Sequence, residues 1–322
     1  MQKKICVIGG GRWGQNHIRT LHQMGNLAGI VETNQQRLNE LLSQYPVLGF
    51  TDLDDAIRHG FDGYVLAAPA ESHYPIGKLL LERGFNVLIE KPMALSSKFS
   101  LELVEIAERT NAKLMVGHLL LFHPAIRKIK EIIDSGRIGK LYYLYSTRLN
   151  LGTVRTEEDV FWSFAPHDIS VLDYLIGHHA THIEAKGAKF LQDNIYDITM
   201  VQFTYPGNVH AHIFVSWLHP FKEQRLVVVG SKGMISFDDT SEEKNVIYYN
   251  KRVDWVNGKP VIARQDDEII AYERAMPLEE ELKYFIENLD KDIKISNGKT
   301  GHEVIKVLEK VQRLINKDGR GR

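Results

Sequence analysis

A single cysteine, Cys6, occurs among 322 residues, which excludes an internal disulfide framework and any metal site built from clustered cysteines. Cys6 sits inside the apolar stretch "KKICVI" and reads as a small buried hydrophobe. Charge of either sign is not in excess. Lys and Arg number 40 and Asp and Glu 41, a formal net charge of −1, so no nucleic-acid partner is expected. No apolar run approaches the length of a membrane span, so no membrane partner is expected either. Internal repeats and low-complexity segments are absent. Met1 to Lys4 lead straight into a strand without the apolar region of a signal peptide, and a cytoplasmic location is expected. The tail "NKDGRGR" is expected to fray. What is present is 43% hydrophobic and 25% charged, the balance of a globular protein, at a length that suggests two domains.

Strand and helix patterns alternate to about residue 120. "KKICVI", "LAGIVE", "FDGYVLAA", "NVLIE" and "KLMVGH" read as strands, and "NQQRLNELLSQY", "SHYPIGKLLLERG" and "SSKFSLELVEIAERTN" as helices. That alternation predicts a doubly wound parallel sheet of the Rossmann type over residues 1–121. Residues 122–322 change texture. "PAIRKIKEIIDSGRIG" is an amphipathic helix opened by Pro124. "KLYYLYSTRLN", "ITMVQFTYP", "NVHAHIFVSWLH", "EQRLVVVGSKGMISFDD" and "VIYYN" then predict a large open, mainly antiparallel sheet, with hairpin turns at Pro206-Gly207-Asn208 and Gly230–Gly233. One helix, "APHDISVLDYLIG", with Pro166 placed to start it, interrupts the strands, and two helices close the chain. The fold class is therefore α/β, a Rossmann domain followed by a substrate-binding and oligomerisation domain, with a last helix able to pack back on the first.

"VIGGGRWG" contains Gly9-x-Gly11-x-x-Gly14 between the first strand and a helix, the context that makes this motif specific for a dinucleotide. Glycines allow a tight turn and let N–H groups approach a pyrophosphate at the helix N-terminus, with Arg12 and Trp13 beside it. Glu32 ends the second strand 23 residues beyond Gly9, near the offset of an acid that binds the ribose hydroxyls. An acid there repels a 2′-phosphate, which favours NAD over NADP; Arg37 is the complicating neighbour. Ala68, Pro69 and His73, after the third long strand, are expected to line the cofactor.

"NVLIEKPMALS" poses a separate question. A buried strand ends in Glu90, Lys91 and Pro92, and a lysine at such a mouth is costly unless it has a role. At the carboxyl end of a parallel strand its ammonium lies where ligands of these sheets bind, able to hydrogen-bond a reacting oxygen and to relay a proton. Glu90 is expected to orient Lys91 or pin local backbone. A surface ion pair with Glu90 is the bland alternative.

Three marks in order, "VIGGGRWG", "VLIEKP" and "APHDISVLDYLIG", resemble the glucose–fructose oxidoreductase, inositol dehydrogenase and rhizopine catabolism (Gfo/Idh/MocA) family, over nearly the whole chain. The resemblance implies an NAD(P)-dependent oxidoreductase acting on a hydroxyl carbon of a sugar or cyclitol, and a homodimer or homotetramer formed through the C-terminal sheet. "GHLLLFHPAIRK", "YSTRLNLGTVR" and "WSFAPHDIS" are similar to the branch of UDP-N-acetylglucosamine 3-dehydrogenases, which implies a nucleotide-sugar substrate. His167 matches the family's active-site histidine, and with Lys91 is the expected catalytic pair. Where the family often carries an aspartate four residues before that histidine, this chain has Ser163, which shifts weight onto Lys91 and His167. His118, Arg148, Asn150, Arg155, Trp162 and Ser163 are expected to grip substrate. The two arginines suit a diphosphate, or equally well pair with Glu157 and Glu158 on the surface. His17, His22, His178 and His179 read as surface or packing residues, and His210 with His212 lacks a third metal ligand. Open alternatives are a dehydrogenase or reductase of a free sugar or cyclitol, an NAD-dependent glycosidase, and a non-catalytic NAD-sensing regulator.

Overall fold

The computed structural model describes residues 2–318, so the last residues of the tail lie outside the described residues. The chain divides into two compact units, Met1–Phe122 with Ala275–Lys306, and His123–Arg274 with Val307–Arg322. A cut at residue 121 thus follows chain order but not packing, because Ala275–Lys306 returns to the first unit.

The first unit runs β1 (Ile5–Ile8), α1 (Arg12–Gln23), β2 (Leu27–Val31), α2 (Gln35–Gln44), β3 (Leu48–Phe50), α3 (Leu53–His59), β4 (Gly63–Leu66), α4 (Ala70–Glu82), β5 (Val87–Glu90), α5 (Ser97–Thr110) and β6 (Leu114–Gly117). Its six strands are ordered β3-β2-β1-β4-β5-β6 and all pairings are parallel. Every residue of β1, β4, β5 and β6 is buried, as a parallel sheet covered on both faces requires. Caps set the helix starts: Asn34, Asp52 and Ser96 each accept a first-turn N–H with the side chain. The strand order reverses between β1 and β4, the switch point at which such sheets bind ligands.

The second unit begins with α6 (Pro124–Asp134) and β7 (Leu141–Leu149), followed by α7 (Val160–Ile176). Then come β8 (His182–Ala188), β9 (Ile198–Tyr205), β10 (Val209–Ser216), β11 (Glu223–Gly230), β12 (Met234–Asp238), β13 (Val246–Tyr249), β14 (Lys251–Val256), β15 (Lys259–Arg264) and β16 (Glu268–Ile270). Eight strands form one sheet, β16-β13-β12-β11-β7-β10-β9-β8. It is antiparallel except where β7 lies parallel to β10, a pairing that needs the long crossover through α7. The strands β8, β14, β15 and β16 are not apparent from the sequence: β8 is mostly exposed at a sheet edge, and β14–β15 is a separate, largely exposed ribbon.

α7 corrects one expectation. The helix does not start at Pro166 but at Val160, capped by Asp159, whose Oδ1 accepts the N–H groups of Phe161 (3.0 Å) and Trp162 (3.1 Å). Pro166 lies inside the helix, where it cannot bond the carbonyl a turn earlier. Trp162, Ser163 and His167 consequently share one helix, and Ser163 and His167 are one turn apart on one face. Gly177, at φ +80°, ends it in the left-handed conformation.

The closing helices are α8 (Pro277–Glu287) and α9 (Gly298–Asp318). α8 packs against α1 and the short 3-10 turn Leu119–Phe122. Ahead of α9, Ser296 covers the edge strand β6: its carbonyl accepts Val116 N–H at 2.8 Å and its Oγ donates to Val116 O at 2.6 Å. No helix among the described residues is long and apolar enough to cross a membrane.

Replacing Asp159 with Ala leaves two N–H groups of α7, one buried and one part-buried, without their cap. A loss of about 1–2 kcal/mol in unfolding free energy is expected from urea denaturation.

Candidate functional site

The site in the first unit starts at the turn from β1 into α1. Gly9 has φ +98°, and a Cβ there would stand 2.8 Å from Ala68 N; at Gly14 it would stand 1.9 Å from Gly9 O. Glycine at Gly9 lets the turn lie against the backbone after β4, and glycine at Gly14 lets helix α1 lie against the turn. At Gly11 a Cβ would meet nothing within 4 Å, so the turn faces open space there. α1 has no side-chain cap and no acid in its first turn, leaving N–H groups at Arg12, Trp13 and Gly14 for an anion. Glu32 at the end of β2 accepts Gly10 N–H (3.0 Å) and Asn34 N–H (2.9 Å), which aims its carboxylate beside the turn. Arg37, the complicating neighbour, has its guanidinium 3.5 Å from Glu32. These residues fit a dinucleotide, with the amides of α1 for the pyrophosphate and Glu32 for the ribose hydroxyls.

Glu90 is the hinge of this site. Its carboxylate accepts the indole N–H of Trp13, lies 2.7 Å from His17 Nε2, and accepts the backbone N–H of Lys91 at 3.1 Å. Burial alone would raise its carboxyl, but the hydrogen bonds from His17 and Trp13 outweigh that and hold it below the ordinary range. The side chain therefore ties α1 to the end of β5, and Lys91 follows directly. His17 is accordingly not a surface or simple packing residue; it is completely buried and serves Glu90. The available signal was its place one turn beyond Trp13 on the same face of α1.

His73 also differs from expectation. It is buried on α4 with Nδ1 2.8 Å from Pro92 O and Nε2 2.8 Å from Ala68 O. Both ring nitrogens lie within hydrogen-bond distance of backbone carbonyls, so the ring sits between the Lys91–Pro92 turn and the loop after β4. Pro69 is exposed at the start of α4. His118, expected to touch substrate, is buried beyond β6, and burial pushes its imidazole down to about 4.

In the second unit, α7 places Trp162, Ser163 and His167 together, with Ser163 buried and the other two half-buried. Asp168 turns to the sheet, where it accepts Ser146 Oγ at 2.6 Å and Arg148 through Nε (2.9 Å) and Nη2 (3.2 Å). Ser146 and Arg148 sit two apart on β7 and so face α7 together. Arg148 is thereby corrected from a substrate-gripping arginine to the partner of a buried carboxylate: burial works against its charge, and the Asp168 carboxylate more than offsets that. Arg155 is exposed and stands 4.0 Å from Glu158, the surface pairing already weighed for it. Asn150 follows β7, half-buried, its N–H on Ser216 O at 3.0 Å.

Residues 3–118 match the family model described as "Oxidoreductase family, NAD-binding Rossmann fold", and residues 126–236 match the model described as "GFO/IDH/MocA C-terminal domain". Together they span more than half of the chain. The chain belongs to the Gfo/Idh/MocA oxidoreductase family, and its first unit is an NAD-binding Rossmann domain.

Relatives within the family differ in substrate. Inositol 2-dehydrogenase from Corynebacterium glutamicum is 26% identical over 194 residues, 58% of this chain and 58% of the relative, so the likeness spans little more than half of that enzyme. UDP-N-acetylglucosamine 3-dehydrogenase from Acidithiobacillus ferrooxidans is 26% identical over 188 residues, 58% of each chain. The solved structure of the enzyme so named from that species superposes with a TM-score of 0.86 at 22% identity, covering 98% of both chains. The WlbA dehydrogenase from Bordetella pertussis, in complex with NADH and UDP-GlcNAcA, superposes at 0.78 with 19% identity, covering 98% of this chain and 97% of that one. At these identities the superpositions show the shared fold.

Because the folded His118 resists protonation while the unfolded chain does not, its contribution is present above the ordinary histidine value and lost as pH falls from 6.5 towards about 4. His118→Gln is expected to show a shallower loss of stability over that window than the parent chain, measured as the urea midpoint against pH.

Proposed function

We propose that this protein is an NAD-dependent dehydrogenase that oxidises a secondary hydroxyl of a sugar to a ketone, with Lys91 and His167 as the groups that manage the hydroxyl proton. The observation that carries the reading is the Glu90 junction: one carboxylate joins the glycine-turn helix, through Trp13 and His17, to the backbone N–H of Lys91. A lysine is thus held at the carboxyl end of a parallel strand next to the dinucleotide turn, the place where α/β sheets of this kind act on ligands. Bound NAD supplies the hydride acceptor. Lys91 donates a hydrogen bond to the reacting oxygen and steadies its alkoxide character as the C–H bond breaks. His167 takes the hydroxyl proton, one helical turn from Ser163, which hydrogen-bonds the substrate where an aspartate would have shared the proton. His73 keeps the Lys91–Pro92 turn in register.

For the substrate we favour a UDP-linked N-acetylamino sugar oxidised at C3. Supporting this reading are the likeness to UDP-N-acetylglucosamine 3-dehydrogenase and the exposed Arg155 after β7. A free sugar or cyclitol is the second reading. The inositol dehydrogenases are among the relatives, and Arg148, one of the two arginines suited to a diphosphate, is already engaged by Asp168. We also infer that the half-buried sheet face carrying Tyr143, Tyr145 and His212 joins copies of this chain into a homodimer or homotetramer; the Tyr145 and His212 rings stack there at 5.0 Å. A cytoplasmic location completes the proposal.

Lys91→Ala and His167→Asn are each expected to lower kcat by about a hundredfold or more while NAD still binds, measured by NADH absorbance and calorimetry. Turnover that survives both changes removes the catalytic assignment. In a thermal-shift panel NAD is expected to raise Tm, and UDP-N-acetylglucosamine to raise it further where inositol and glucose do not. The reverse order selects the second reading.

A further inference from the structure

Between β13 and β16 the chain leaves the large sheet. Among the described residues β14 and β15 pair only with each other, across the turn Asn257-Gly258, where φ is +49° and +74°. No residue of either strand is buried. The register sorts their side chains. Lys251 pairs with Arg264, Val253 with Ile262 and Trp255 with Pro260, and these pairs share one face. Beyond the cationic pair at its base that face is apolar, with Val253 55%, Ile262 61% and Trp255 71% exposed. The opposite face mixes Arg252, Asp254 and Lys259 with Val256, Val261 and Ala263. A two-stranded ribbon by itself is marginal in water, and an apolar face on one without a core is a contact surface.

The attachment of the ribbon indicates what covers it. One row of paired residues crosses the large sheet through His212, Tyr145, Val227, Ser236, Ile247 and Ile269. It lies on the face of the Tyr145–His212 stack and ends at the sheet edge in the exposed Ile269. Tyr249 follows Ile247 on that face, and the Lys251 ammonium lies 4.8 Å from the Tyr249 ring centroid. The open face of the sheet is therefore continuous with the ribbon face that carries Val253 and Trp255. The root is firm. Gln265 N–H donates to Asn250 O at 3.0 Å, Asn250 Nδ2 donates to Asp266 O at 2.9 Å, and Lys251 pairs with Asp267 at 3.0 Å. Residues 265–267 stand opposite only 249 and 250, a bulge of the kind that bends a strand.

We propose that Lys251–Arg264 is an arm that clasps a second copy of this chain, laying Val253, Trp255, Pro260 and Ile262 against it beside the contact between sheets. Its placement rests on the sheet-face reading above. A buried tryptophan covers about 150–250 Å², and a stable contact takes about 800 Å² per partner. The arm thus reinforces the sheet contact and selects a copy that presents the same face.

The test is self-association of the full chain, followed by sedimentation velocity on dilution. W255E combined with I262E is expected to weaken association about a hundredfold. V256E combined with V261E, on the opposite face, is expected to leave it unchanged. Urea midpoints of both variants are expected to match the parent, because all four side chains are exposed. Y145E probes the sheet contact separately. Association undiminished in W255E/I262E, or equally diminished in V256E/V261E, overturns the arm; a loss in Y145E then leaves the sheet-face reading standing. Association that survives Y145E but falls in W255E/I262E removes the sheet-face reading and keeps the arm as the contact. A parent that is monomeric at every concentration overturns both.

Discussion

One buried carboxylate organises the first unit's chemistry. Glu90 sits at the end of a strand with no exposed residue, where an unpaired charge would be prohibitive, and three donors make it tenable: the Trp13 indole, the His17 ring and the Lys91 amide. Removal of a partner from such an arrangement costs more than the arrangement contributes, since it leaves a charge stranded. The glycine turn, helix α1 and the lysine-bearing strand end are thereby coupled through a single side chain. His73 adds a second brace from the opposite side, holding backbone at Pro92 and Ala68. Lys91 is consequently placed by atoms outside its own side chain.

The second unit uses the same device for another purpose. Asp168 is buried on the sheet side of α7 and takes both a hydroxyl and a bidentate guanidinium from β7. That pairing ties α7 to β7 on the sheet side of the helix. The arginine that the sequence offers as a phosphate ligand is spent on this internal contact, which is why a charged residue near an expected site is a weak guide to its ligand.

Features that depend on neighbours in the chain were legible. Gly9, Gly11 and Gly14 follow a strand and open a helix, and only glycine tolerates the close approaches found at Gly9 and Gly14. The alternation of apolar strands and amphipathic helices foretold the Rossmann sheet. The start of α7 was misread because a proline resembles a helix opener, while the Asp159 cap lies seven residues earlier in a polar stretch that reads as loop. The exposed ribbon β14–β15 lacks a buried face to impose a period.

The sequence by itself determined the family and the two kinds of sheet, because these follow from local pattern and spacing. Tertiary structure alone decided which polar groups are partners. His17 and Glu90 stand 73 positions apart in the chain, and Arg148 and Asp168 twenty, with no local rule joining them. Burial then acts on those pairings: in a medium that cannot solvate charge, the donors that happen to converge on each carboxylate set its state, and convergence is a property of packing.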